Sequence, residues 1–112
     1  MEITEQKSAN VVTLNLSGKL DATSAKAFEE KILGQIESGE RRIVIDLAQL
    51  DYVSSAGLRV FLLASKRLAS ANGKMVLCSL KESVREVFDI AGFSSIFSIY
   101  GSRDDAAKDL QA

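Results

Sequence analysis

The chain has 112 residues, 46% of them hydrophobic, with 14 Lys and Arg against 15 Asp and Glu for a formal net charge of −1. That length supports one domain with a single core, and the charge balance speaks against a general binder of nucleic acid or of membrane surfaces, both of which need a cationic face. With no histidine, no proline and one cysteine, the chain lacks the parts of a Ser-His-Asp triad, of a zinc site and of an internal disulfide.

The N-terminus, Met1 to Lys7, has no signal-peptide pattern, and no apolar run is long enough to span a bilayer. Together with the lone Cys78 this reads as a cytoplasmic chain with no membrane contact. Ile3 to Lys7 alternates weakly, as an edge strand does. Ser8-Ala-Asn10 forms a hairpin turn. Val12, Leu14 and Leu16 mark a half-buried strand that Gly18 breaks.

Asp21-Ala-Thr-Ser opens a helix with Asp21 or Thr23 as N-cap. Ala25, Phe28, Ile32 and Ile36 form its core face, and Gly39 ends it. Arg42 to Leu47 is an apolar run suited to a central strand buried on both faces. A short loop follows, ending in Ser54-Ser55-Ala-Gly57.

A second helix runs from about Ala56 to Ala71, with Leu58, Phe61, Leu62, Leu68 and Ala69 inward and Asn72-Gly73 as its stop. Met75 to Cys78 is a buried strand with Cys78 as a core residue. Ser79-Leu-Lys-Glu82 matches a capping box for a third helix, with Val84, Val87, Phe88 and Ala91 inward. Phe93-Ser-Ser-Ile96 is a helix-to-strand joint. Ile96 to Tyr100 is a last strand, and Ser102 starts a weakly apolar terminal helix expected to fray. The expected class is α/β, mixed: one domain over residues 1–112, order β-β-α-β-α-β-α-β-α, with a mixed sheet of four to five strands and about four helices.

The chemistry concentrates where the second helix begins. Free N–H groups and the positive end of the helix dipole favour an anion there, which makes a serine hydroxyl at that place a good phosphate carrier. Spacing alone leaves plain helix capping open. Gly57 is open to a packing role, Asp21 to a capping role, Leu58 to a rim contact, and Arg59 to a solvated charge or a contact with a partner's acid.

The run Asp46-Leu-Ala-Gln-Leu-Asp-Tyr-Val-Ser-Ser-Ala-Gly-Leu-Arg59 resembles the signature of STAS domains. More closely it is similar to the bacterial anti-sigma-factor antagonists. Gly18-Lys-Leu-Asp21, Lys74-Met-Val-Leu77 and Ala91-Gly-Phe-Ser-Ser-Ile-Phe97 extend the resemblance over nearly the whole chain. The resemblance implies a signalling phosphoprotein of transcription regulation, not an enzyme, with no cofactor, metal or catalytic residue.

It implies binding to an anti-sigma factor that is itself a GHKL-type serine kinase. It further implies release of the sigma factor, phosphorylation at Ser55 (second choice Ser54), and reset by a PP2C-type phosphatase. The partner-binding set it implies is Asp21, Ser54, Ser55, Gly57, Leu58 and Arg59. Many antagonists carry an aspartate before the acceptor, where this chain has Ser54. The alternative is a STAS subunit or scaffold of a transporter or stress-signalling complex that is never phosphorylated. A hydrolase lacks its Gly-x-Ser-x-Gly elbow and its histidine, and a nucleotide-binding module lacks a Walker-type loop.

Overall fold

The computed structural model describes residues 1–111. Alternation at Val12, Leu14 and Leu16 forms β2 (Val11–Leu20), which pairs antiparallel with β1 (Glu2–Ser8). The two-residue turn between them puts Ala9 and Asn10 at φ 51° and 67°, the left-handed pair of a tight hairpin. Gly18 does not end β2: at φ 92° it stays inside the strand, which runs on to Leu20.

The remaining elements are α1 (Ala25–Glu37), β3 (Arg42–Val53), α2 (Ser55–Ser70), β4 (Lys74–Cys78), α3 (Glu82–Ile90), a 3-10 turn (Phe93–Ser95), β5 (Ile99–Tyr100) and α4 (Arg103–Gln111). The five strands lie in chain order in one sheet, with β2 to β5 mutually parallel. The mixed α/β class and the expected element order hold.

Two layers cover the sheet. Residues Val12, Leu14, Leu16, Ile43, Ile45, Leu47, Met75 and Leu77 point to one face, where α1, α2 and α3 supply Phe28, Ile32, Phe61, Leu68, Val84 and Phe88. Phe61 sits at the centre of an aromatic cluster, with ring centroids 5.0 Å from Phe28, 5.4 Å from Phe88 and 6.4 Å from Phe97. Ala69 and Ala91, expected inward, are exposed, while Val60 and Ala64 are buried.

The alternate strand residues Val11, Val44, Val76 and Cys78 point to the opposite face. There α4 buries Ala106 and Leu110. The terminal helix is therefore the second layer of the fold rather than a loose end. Burial under it pushes the Cys78 thiol above its ordinary pKa.

Three local expectations change. The stretch after Leu47 is strand, not loop, and reaches Val53. Asn15 pairs with Asp46 but Ser17 with Gln49, and Gly18 pairs with Leu50 but Lys19 with Tyr52. Each step inserts one extra residue into β3, so the inward positions become Leu47, Leu50 and Val53, three apart. A period of three hides a strand from a search for alternation.

The capping box does not form. Ser79 takes φ 63° and its N–H donates to Tyr100 O at 3.0 Å, so α3 starts at Glu82 with Lys81 in the cap position. The last strand is only two residues long. The N–H groups of Ile96 and Phe97 both donate to Phe93 O at 3.0 Å, which spends them in the turn.

One polar node ties the second layer to the irregular half of β3. Asp46 Oδ1 accepts the Ala48 N–H at 3.0 Å, bracing the first extra residue. Its Oδ2 accepts from Arg103 Nη2 at 2.9 Å and Nε at 3.1 Å, and Arg103 also donates to Gln6 (2.6 Å) and to Asn15. The Asp46 side chain is 12% exposed but that of Arg103 is 41% exposed, so solvent screens part of the attraction. Replacing Arg103 by Ala strips the buried carboxylate of its cation. The expected loss is about 1–2 kcal/mol in urea unfolding, with α4 amides exchanging fastest. An unchanged midpoint would show that the node does not hold α4.

Candidate functional site

The far end of β3 delivers the serine pair. The Ser54 N–H donates to Leu20 O at 2.9 Å, so the chain leaves β3 still held against the end of β2. Ser54 occupies the N-cap position of α2 in extended backbone, φ −97° and ψ 174°. Its hydroxyl does not cap: Oγ is closed off from solvent and has no hydrogen-bond partner. Ser55 is the first helical residue and is exposed. The first intrahelical bond runs from Leu58 N–H to Ser54 O at 3.0 Å, and the N–H groups of Ser55, Ala56 and Gly57 precede it. No acidic residue lies in this first turn.

Gly57 shows why the helix starts where it does. A Cβ there would stand 2.6 Å from Leu20 Cγ, 2.8 Å from Leu20 Cδ2 and 3.1 Å from Val53 Cγ2. The missing side chain therefore lets the first turn of α2 settle onto the ends of β2 and β3, and its bare side faces inward. Leu58, inward by its helical spacing and open to a rim contact, is 8% exposed and belongs to the core.

Asp21 lies beside this turn, one residue after Leu20. It does not cap α1. Its Oδ1 accepts the Thr23 N–H at 2.9 Å and the Thr23 hydroxyl at 2.6 Å, closing a local turn. The cap position of α1 falls to Ser24, whose hydroxyl is turned back to donate to Lys19 O at 2.9 Å and accept from Asp21 N at 3.0 Å. The Thr23 hydroxyl and N–H hold the Asp21 carboxyl below its ordinary pKa.

Between α1 and α2 runs an open groove of about 350 Å³ lined by Ala22, Ala25, Lys26, Glu29, Ala56, Arg59 and Val60. Arg59 is exposed on its rim. Sequence reading placed Arg59 near the serines but missed Lys26 and Glu29, which α1 brings alongside only in three dimensions. A larger cleft of about 730 Å³ lies at the opposite end of the sheet, among Lys7, Arg41, Arg42 and Lys74. Its cations are largely spent, Lys7 on Glu40, Lys74 on Asp109 and Arg41 on the carbonyl of Ile36. Among the described residues no group of three His, Cys, Asp or Glu side chains converges as a metal site would.

Two measurements check this geometry. Gly57→Ala forces Leu20 aside and is expected to cost about 1–3 kcal/mol, whereas Ala56→Gly should cost about 1 kcal/mol or less. Equal losses would mean that the close approach is absent. Because its carboxyl is favoured in the charged form, Asp21 stabilises the turn at pH values above its unfolded pKa, and that contribution disappears as pH falls through the lower folded value. The Thr23 amide resonance should therefore titrate with a midpoint below the ordinary aspartate value of 3.8, and a midpoint at or above it would refute the bond.

Comparison with known proteins agrees with the fold. The profile of the STAS domain matches residues 2–106. BtrV of Bordetella bronchiseptica, assigned provisionally as an anti-sigma factor antagonist, is 47% identical over 107 residues, covering 96% of this chain and 92% of BtrV. The anti-sigma-B factor antagonist of Bacillus subtilis is 31% identical over 94 residues, covering 84% of this chain and 85% of that protein. Among solved structures, the anti-sigma factor antagonist SpoIIAA in its unphosphorylated form superposes with a TM-score of 0.87 at 20% identity, covering 98% of this chain and 96% of SpoIIAA. A phosphorylated form of Bacillus SpoIIAA superposes with a TM-score of 0.76 at 20% identity, covering 96% of this chain and 98% of that one. The chain belongs to the STAS domain family.

Proposed function

We propose that this chain is an anti-sigma-factor antagonist switched by phosphorylation of Ser55. Unmodified, it binds an anti-sigma factor that is a GHKL-type serine kinase, and a sigma factor is released. The kinase then moves the γ-phosphoryl group of ATP to Ser55 Oγ. The bond to ADP breaks, the hydroxyl proton leaves, and the complex parts. A PP2C-type phosphatase restores the hydroxyl by hydrolysis, releasing inorganic phosphate. The chain acts as a binding partner, not as a catalyst.

The observation that carries this reading is the difference between the two serines. Ser55 is exposed on the first turn of α2, while Ser54 Oγ is closed off from solvent. A kinase has to reach the hydroxyl it modifies, which favours Ser55 over the second choice, Ser54. Named relatives supply the context, since curated proteins that match over most of the chain are named as anti-sigma factor antagonists.

The proposed partner surface includes Asp21, Ser54, Ser55, Gly57, Leu58 and Arg59, with unequal roles. Ser55 and Arg59 are exposed and make contact. Asp21 shapes the neighbouring turn. Ser54, Gly57 and Leu58 set the position of the helix from beneath.

The physics of the switch is charge. A phosphate adds about −1.5 to −2 charges and three strong acceptors. The helix terminus stabilises such a charge within the chain by roughly 0.3–1 kcal/mol, so the fold survives. Disrupted charge pairing at an interface costs roughly 2–5 kcal/mol, about 30-fold to several-thousand-fold in affinity.

The test is a titration of the kinase with unmodified, Ser55→Ala and enzymatically phosphorylated protein. Ser55→Ala should stay bound in the presence of ATP, and the phosphorylated chain should bind at least about 30-fold more weakly. Modification mapped to a residue other than Ser55, or undiminished binding after modification, would overturn the proposal.

A further inference from the structure

Arg59 stands four residues after Ser55 on α2, on the same side of the helix. Helical side chains lean toward the N-terminus, so a residue at this spacing covers the turn before it, here the turn that carries Ser55. Both residues are exposed. The described residues give Arg59 no ion pair, although Glu29 lines the same groove.

The charged groups lining the groove are Lys26 and Glu29 from α1 and Arg59 itself, with Asp21 next in the chain to the lining residue Ala22. Asp21 is engaged by Thr23. Asp51, nearby on β3, is engaged by Lys81. The first turn of α2 holds no carboxylate and no side-chain cap, and the hydroxyl of Ser54 beside it has no partner. Positive potential from the helix terminus and the guanidinium thus lacks a counter-charge from α2 itself.

We infer that Arg59 is the internal receptor for a phosphate on Ser55. The phosphoryl oxygens accept from the planar guanidinium fork, whose geometry suits two parallel bonds. The inference rests on the reading of Ser55 as the phosphoacceptor and adds to it. Modification then does two things at once. It places a dianion at the contact surface, and it draws Arg59 back along its own helix, away from any partner carboxylate it met before. Arg59 acts as a positioning residue, and the unmodified chain keeps it free.

The experiment encodes phosphoserine genetically at position 55, so that no kinase is needed. The phosphate is titrated by ³¹P NMR in the otherwise unchanged chain and with Arg59→Gln, Arg59→Lys or Lys26→Gln. The second pKa of a free phosphoserine is about 6. It should lie lower in the unchanged chain and rise by about half a pH unit or more with Arg59→Gln, roughly threefold in proton affinity. Arg59→Lys should restore part of the shift, and Lys26→Gln should move it less than Arg59→Gln does.

Equal phosphate pKa values with and without Arg59 would overturn the inference, as would a larger effect from Lys26. Intact-mass analysis of protein from growing cells tests the parent reading separately. Absence of phosphate at Ser55 under every growth condition would remove the proposed switch, whereas the encoded phosphoserine still reports whether Arg59 receives the group.

Discussion

The approach of Gly57 to Leu20 governs the rest of the site. A helix can begin only where its first turn finds something to rest on, and here that support is the end of β2. The missing Cβ allows contact at a distance that any side chain would forbid. The bond from Ser54 N–H to Leu20 O fixes the same junction through the backbone. Two constraints of different kind, one steric and one hydrogen-bonded, hold the exit of β3 and the entry of α2 together. Ser55 is exposed because its neighbours are not: Val53, Gly57 and Leu58 are buried on either side of it.

The junction depends in turn on the irregular half of β3. Two inserted residues carry the strand past the point where regular alternation would have ended its core contact. Leu50 and Val53 stay inward at a spacing of three. Bulges of this kind re-aim a strand, and they are common beside functional sites. Asp46 braces the first of them through Ala48 and is itself held by Arg103 from α4. The helix that covers one face of the sheet is thereby linked to the strand that delivers the serine at its end. This is a mechanical link through packed structure.

What the sequence made legible follows from period. Val12, Leu14 and Leu16 alternate, Phe28, Ile32 and Ile36 repeat at helical spacing, and both patterns became elements on the expected faces. The region from Ala48 to Val53 read as loop because bulges replace a period of two by three. The role of α4 was hidden because only Ala106 and Leu110 are buried in it, too few for a visible stripe. Ser79-Leu-Lys-Glu82 looked like a capping box because the residue types fit. The pairing of Ser79 N–H with Tyr100, a contact across the sheet, took precedence. At the site, the serine loop and Arg59 were legible as local sequence. The inward side of Gly57 and the groove partners Lys26 and Glu29 were not, because each depends on which element packs against α2.

The proposed switch needs a fold indifferent to its own modification. The core beneath Ser55 is apolar and closed, and Ser55 contributes no side-chain hydrogen bond to it among the described residues. Adding a phosphate to an exposed first-turn residue therefore breaks nothing inside. The new charge meets the favourable end of a helix whose first turn carries no carboxylate. An aspartate at position 54 would change that balance by placing a fixed negative charge next to the acceptor. Ser54, neutral and turned inward, leaves the N–H groups of the first turn to the phosphate alone. Under the proposed modification of Ser55, the identity of residue 54 would thus set how much of the helix terminus is still unsatisfied, and so how strongly the chain itself would hold a phosphate there.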